Sequence, residues 1–414
     1  MASPTGIGDE ALSSTEQAIV DDAVAFAGKH LEPMAETWET ERRFASEGFE
    51  ALGPAGLCGL LVPTDLGGRG VGPVALARVL EELAAADLAA AFSAVVHNNM
   101  ARAVAGSGNQ RLIDGLLPRL VAGQVVGAFL LTEPEFGSDA ARITCRATRD
   151  GDEWVIDGSK AWVTNASHAG ALNLYAQTDP SLGHRGIVSI VVDPDSPGVT
   201  RTEPYQLMGA HAMGTGGFEF DRVRVPVADT LVPVGQAFVA AMAGIDLARV
   251  LVGAMCCGIL RRSLEVALVH TADRHVFGSP VADKQGIQWM LADVATDLEA
   301  MRLLTYRAAR LLQDEWRHRA EDRVEDDAGP TTGRASLLAA HAKKFAARKS
   351  QERIAECMQV MGASGYRRDA AVAGGDNPIP RHLAAARLTG YIDGATEIQN
   401  VVIARRLWAD LDRD

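Results

Sequence analysis

Leu131-Thr132-Glu133-Pro134-Glu135-Phe136-Gly137-Ser138-Asp139 and Asp157-Gly158-Ser159-Lys160-Ala161-Trp162-Val163-Thr164-Asn165 are the two segments on which the reading of this chain turns. Each joins strand-like residues to turn formers. Trp154 and Ile156 alternate with polar neighbours, and Asp157-Gly158 after them predicts a tight turn. Ile187 to Val192 and Phe218 to Val225 are further strand-like runs, so a central β domain is expected over 128–234. Thr132, Ser138 and Thr164 supply short hydroxyls and Trp162 an aromatic wall, groups suited to the polar edge and the face of a planar heterocycle. The alternative is ordinary turn chemistry with Trp162 in the core.

On either side the texture is helical. From about Ser14 to Leu120 the chain is rich in Ala, Leu, Glu and Arg, with Gly and Pro gathered at Gly53–Gly56 and Pro63–Gly72, which predicts an N-terminal helical domain over 1–127. After Gly235 a helical stripe returns: Ile287, Met290, Leu291, Val294, Leu298 and Met301 share one face. Long helices are expected at about 236–274, 284–316, 335–361 and 395–409, enough for a C-terminal four-helix bundle over 235–414. Arg317 to Arg334, charged and ending in Gly, Pro and Thr, reads as an exposed connection. The expected fold is thus α+β and multidomain, with helical, β and helical units in that order.

Composition narrows the function. With 40 basic and 53 acidic residues the net charge is −13, which gives no general attraction to nucleic acid or anionic lipid. Cys58, Cys145, Cys256, Cys257 and Cys357 form no CxxC pair, which suits a reducing cytoplasm. The start, MASPTGIGDEALSS, lacks the basic-then-apolar pattern of a signal peptide. The longest clean apolar run, Val250 to Leu260, is short of the roughly 18 residues of a membrane span, and none is expected.

Taken together, the two opening segments resemble the TEPxxGSD and NGxKxWITN flavin-binding elements of the acyl-CoA dehydrogenase family. The resemblance runs along most of the chain. Gly106 to Glu133 is similar to the approach to the first element, Arg274-His-Val-Phe-Gly278 with Gln285 to R-x-x-F-G, and Gln359-Val-Met-Gly362 through Tyr366 to QxxGGxGY. Tyr391 to Arg405 resembles the closing IYEGTxxIQ helix start.

This resemblance implies FAD as cofactor. Thr132 would bind the pyrimidine edge of the flavin, Ser138 and Arg274 the pyrophosphate, and Trp162 with Thr164 would cover the ring. Leu131, Gly137, Val163, Phe277, Gln285, Ala395 and Glu397 complete the implied cofactor set. Gln359, Met361 and Gly362 would reach the adenine end across a dimer interface, or simply close a helix at Gly362. For Arg274 the alternative is a surface ion pair with Asp273 or Asp283.

In the family a carboxylate takes the proton α to a thioester carbonyl while hydride passes from the β carbon to the flavin. The matching position of the usual glutamate is Asp393, one methylene shorter, with a helix N-cap as its alternative role. The glutamate that some members carry on another helix matches Ala248, which closes that route. Ser138, Asp246, Arg249, His211 and Gly394 are the implied substrate contacts; Arg249 could instead anchor Asp246, and His211 could be a structural donor. Ala384-Ala385, Asn400, Ala363 and the Met208–Thr215 loop depart from the family pattern.

The activity implied is FAD-dependent α,β-dehydrogenation of an acyl thioester, on CoA or a carrier protein, by a homodimer or homotetramer that passes electrons to an electron-transfer flavoprotein. Relatives that oxidise nitroalkanes with O2 also carry aspartate at the base, although an arginine stands there where this chain has Asn400. A catalytically silent thioester- or flavin-binding partner is the third reading.

Overall fold

The computed structural model describes residues 12–322, 333–372 and 375–407. Among the described residues seven α-helices come first: α1 Ser14–Phe26, α2 Ala35–Glu41, α3 Ser46–Leu52, α4 Pro73–Ala86, α5 Leu88–Ala105, α6 Gln110–Gly115 and α7 Leu117–Val121. The Ser13 hydroxyl and the Glu16 side chain form a reciprocal capping box at the start of α1. Asp87 separates α4 from α5 and caps the latter, accepting from the Ala90 N–H at 2.8 Å.

One mixed sheet follows, built from β1 Val126–Leu130, β2 Arg146–Asp150, β3 Glu153–Val163, β4 Ala169–Gln177, β5 Ile187–Val192, β6 Val199–Arg201, β7 Gly216–Pro226 and β8 Thr230–Val232. Its order is β6-β7-β3-β2-β4-β5-β8, with β1 parallel to β4. Leu130, Ile156, Leu172, Leu174, Ile190 and Phe218 fill its core. Asp157-Gly158 is not the turn that the sequence suggests. It lies inside β3 at a break in the β3–β7 register, and β2 and β3 are joined instead around Gly151, at φ 62°. Gly158 has φ 136°, and a Cβ there would sit 2.7 Å from Cys145 Cα, so glycine serves a bulge and a close strand contact.

The C-terminal helices are α8 Ala237–Asp273, α9 Gln285–Asp322, α10 Gly333–Val360, α11 Ala363–Tyr366, α12 Ile379–Leu388 and α13 Thr396–Leu407. Helix α9 runs through Arg317 to Asp322, so the charged stretch begins as helix; 323–332 and 408–409 lie outside the described residues. Val294, Leu298 and Met301 of the expected stripe are buried. Helix α8 packs against α4, α9 and α10, and both α12 and α13 pack on α10. The bundle is therefore completed by α4 from the N-terminal region as well as by the late helices. A Cβ on Gly258 would fall 2.1 Å from the Glu81 carbonyl oxygen, which is how closely α8 approaches α4.

Helix α8 is apolar on all sides because its middle, Asp246 to Leu260, is buried throughout. It is long and apolar enough to cross a membrane, but 83% of its most apolar window is covered by the protein itself, as in a core helix.

Candidate active site

The two opening segments are clamped together by a buried ion pair. Lys160, in β3, reaches back so that its ammonium donates to the Leu131 carbonyl at 2.9 Å and to Glu133 Oε1 at 2.8 Å. The Glu133 carboxylate also accepts from the Thr144 N–H and hydroxyl and from the Cys145 N–H, at 2.7 to 2.8 Å. The two side chains are 0% and 3% exposed. Burial would raise the Glu133 carboxyl, but Lys160 and the two N–H groups outweigh it and hold it below its usual range. Burial pulls the Lys160 ammonium down despite Glu133. With the Ala161 N–H donating to the Thr132 carbonyl at 2.9 Å, Thr132 and Trp162 are fixed relative to one another.

Trp162 sits where the β3–β7 register slips, between Lys160↔Phe218 and Val163↔Gly216. Its φ is 57° and its side chain is 60% exposed, with the Tyr205 ring edge-on at 5.0 Å. A bulky residue at positive φ that presents an indole to solvent is a strained arrangement of the kind found at ligand sites. The core alternative for Trp162 is excluded. Next to it, Asn165 donates to the Ser93 and Gly127 carbonyls, tying the end of β3 to α5 and β1.

On the C-terminal side, Tyr391–Ala395 forms a loop ahead of α13. Asp393 and Gly394 both have positive φ, 50° and 89°. Arg249 Nε donates to the Asp393 carbonyl at 3.2 Å, Lys343 Nζ to the Gly394 carbonyl at 2.7 Å, and Gln399 Nε2 to the latter at 2.9 Å. Oδ2 of Asp393 is buried with no hydrogen-bond partner. Burial pushes the Asp393 carboxyl up to about 6, against the opposing pull of Lys343 and Arg249. Burial also brings Lys343 down to about 8, against Asp393 and Cys256.

Comparison with known proteins accounts for this arrangement. Residues 13–124, 128–223 and 235–408 match the N-terminal, middle and C-terminal domains of acyl-CoA dehydrogenase. A probable acyl-CoA dehydrogenase of Mycobacterium leprae (strain TN), fadE25, is 33% identical over 92% of each chain. The chain belongs to the acyl-CoA dehydrogenase family. Among solved structures it is similar to butyryl-CoA dehydrogenase from Megasphaera elsdenii, with TM-score 0.86 and 28% identity over 96% of this chain and 98% of that one. It is also similar to a glutaryl-CoA dehydrogenase from Mycobacterium smegmatis in complex with FADH2, with TM-score 0.82 and 27% identity over 96% and 95%.

As an acyl-CoA dehydrogenase family member the protein is an FAD oxidoreductase, and its residues fit that cofactor. The exposed indole of Trp162 offers a ring wall, Thr132 is half-buried, and Gly137 and Ser138 lie exposed beyond it. Arg274 is exposed and makes no ion pair with Asp273 or Asp283, so its guanidinium is open to an anion. Phe277 and Gly278 form the turn of a short hairpin, His275–Val276 with Ser279–Pro280, whose Phe277 tip is 99% exposed. Gln285, Gln359 and Glu397 are exposed and Ala395 is half-buried.

Other expected contacts are corrected by the geometry. Leu131, Val163 and Met361 are buried in the core of their own chain, leaving their backbone rather than their side chains for a ligand. His211 is buried, with Nε2 3.2 Å from the Leu207 carbonyl and Nδ1 3.1 Å from Glu39 Oε2; both nitrogens face protein, which is the structural alternative. Arg249 binds Asp246 Oδ1 at 2.8 Å as well as the Asp393 carbonyl, so the pair braces the loop rather than waiting for substrate. Gly362, at φ 60°, closes α10 by donating to the Gln359 carbonyl. Thr396 begins α13, so Ala395 holds the capping position and Asp393 does not. Two residues without an assigned role in the sequence reading emerge, Lys160 and Lys343. An acid and a base in the paired segments were a signal for the first; nothing distinguished the second.

Proposed function

We propose that this protein desaturates an acyl thioester between its α and β carbons, with Asp393 as the base that takes the α proton. Bound FAD supplies the acceptor for the hydride leaving the β carbon. The observation that carries the reading is the half-buried Asp393 carboxylate, whose Oδ2 is covered yet free of partners and which is raised to about 6. At neutral pH such a group is mostly ionised yet more basic than an exposed aspartate, the balance that general base catalysis needs. The N–H groups of Asp393, Gly394 and Ala395 donate to no protein acceptor among the described residues, which suits a loop that binds the thioester oxygen as negative charge develops.

Thr132, Ser138, Trp162, Thr164 and Arg274 would hold the cofactor, the exposed Gln359 would reach a second subunit's site in a dimer or tetramer, and an electron-transfer flavoprotein would reoxidise it. Screening CoA and carrier-protein thioesters for flavin bleaching tests this. Asp393→Asn should lower the bleaching rate by about 10²–10⁴-fold; full rate in that variant refutes the base. The aspartate also supports a nitroalkane-oxidase-type reading, which predicts O2 consumption with a nitroalkane and no added acceptor. A cytoplasmic setting is consistent with five cysteines that are all free and buried.

A further inference from the structure

Two cations approach Asp393, and neither is hydrogen-bonded to its carboxylate. Lys343 is 0% exposed, on the buried face of α10, where its neighbours within one turn include Ala339, Ala340, Ala342, Ala346 and Ala347. It makes no ion pair within 4.0 Å among the described residues, and its ammonium is directed to the Gly394 carbonyl. A buried ammonium among alanines is expensive unless it answers a nearby negative charge. Asp393 is that charge, and it opposes the burial that lowers Lys343.

We propose that Lys343 is a positioning residue for the proton-abstracting loop, holding the Gly394 carbonyl and, with Arg249, keeping the Asp393 carboxylate charged yet unpaired. The inference rests on Asp393 being the base. A carboxylate locked in a salt bridge is a weak proton acceptor, and one alone in an apolar site stays protonated. Here the cations hydrogen-bond to consecutive backbone carbonyls, so their field reaches the acid while its oxygen stays free. The same two bonds set the direction of the loop: in planar trans peptides the Gly394 and Ala395 N–H groups point opposite to the tethered carbonyls. The charged and titratable groups around the pair are Arg249, Asp246 and Cys256 from α8, Lys343 from α10 and Glu397 from α13.

The test uses the FAD-loaded enzyme and stopped-flow flavin bleaching by butyryl-CoA from pH 5 to 9, with Lys343→Met and Lys343→Arg. Removing the cation should move the acid limb of the rate profile up by about one pH unit, about a fivefold loss at pH 6, while the arginine variant keeps the limb in place at a lower maximum. An unmoved limb in Lys343→Met overturns the proposal. If the methionine variant fails to fold, a limb displaced by a full unit in Lys343→Arg overturns it equally. If butyryl-CoA bleaches nothing, the functional reading is what fails for that substrate. Lys343 is then judged by thermal unfolding of the single and double variants with Asp393→Asn: the asparagine should stabilise Lys343→Met more than the parent at pH 8 and equally at pH 4, and equal effects at both reject the coupling.

Discussion

Replacing Asp393 by asparagine should inactivate the enzyme and make it more stable. The carboxyl is raised from 3.8 to about 6, roughly two pH units, or about 3 kcal/mol of disfavoured ionisation at high pH. The native state holds this proton more tightly than the unfolded chain does, so its contribution to stability is fully present below pH 3.8 and is lost as pH rises through about 6. Asparagine never ionises, tolerates a φ of 50° as aspartate does, and has almost the same volume. Its advantage should be about 3 kcal/mol at pH 8 and about half that at pH 5. For 414 residues the unfolding entropy is about 0.9 kcal/mol/K, so Tm should rise by about 3 °C at pH 8. Thermal unfolding followed by circular dichroism at both pH values measures it, with flavin content matched between samples. A Tm at or below the parent's at pH 8, or a gain equal at both pH values, refutes the claim that burial strains this ionised acid.

Other substitutions separate the remaining parts of the site. Lys160→Met leaves Glu133 buried without its counter-charge and should cost about 3–5 kcal/mol in denaturant unfolding, with loss of bound flavin. Trp162→Ala removes an exposed side chain, so stability should change by less than about 1 kcal/mol while the flavin absorbance per protein falls on dialysis. Gly158→Ala sets a methyl 2.7 Å from Cys145 Cα at a φ of 136°, and should cost about 2–4 kcal/mol in the same unfolding assay.

The strands were legible wherever one face is buried, as in Ile187–Val192, because alternation or an apolar run leaves few other readings. Asp157-Gly158 has the sequence of a turn because positive φ serves a bulge as readily as a turn, and only the partner strand distinguishes them. Charged residues up to Asp322 looked like a loop, yet Arg, Ala and Glu are good helix formers, and α9 continues through them. Helix α12 is hidden in the sequence because Pro378 and Pro380 suggest irregular chain, although proline is at home in a first helical turn. Lys343 and Lys344 are neighbours in sequence and opposites in setting, one wholly buried and the other half-buried. Which of them faces the active loop depends on how α10 packs against α13, and no local pattern carries that.

A shortened acid also changes what the rest of the site must do. Glutamate can place its carboxylate by adjusting three side-chain torsions; aspartate has two and reaches about 1.5 Å less far, so its oxygens inherit their position from the backbone. Here that backbone is held at consecutive positive φ values by Arg249, Lys343 and Gln399. A positive φ at a non-glycine residue costs on the order of 1 kcal/mol and relaxes unless surrounding bonds oppose it. Loosening the tethers should therefore be felt as misplacement of the carboxylate, with kcat falling more than KM rises, since substrate binding elsewhere along the acyl chain is untouched. A family member with glutamate at this position could absorb the same loosening in its side chain. Asp393→Glu combined with Lys343→Met should accordingly recover more of kcat than Asp393→Glu does alone, and failure of that rescue in steady-state assays would show that the loop is not what limits the reach of the acid.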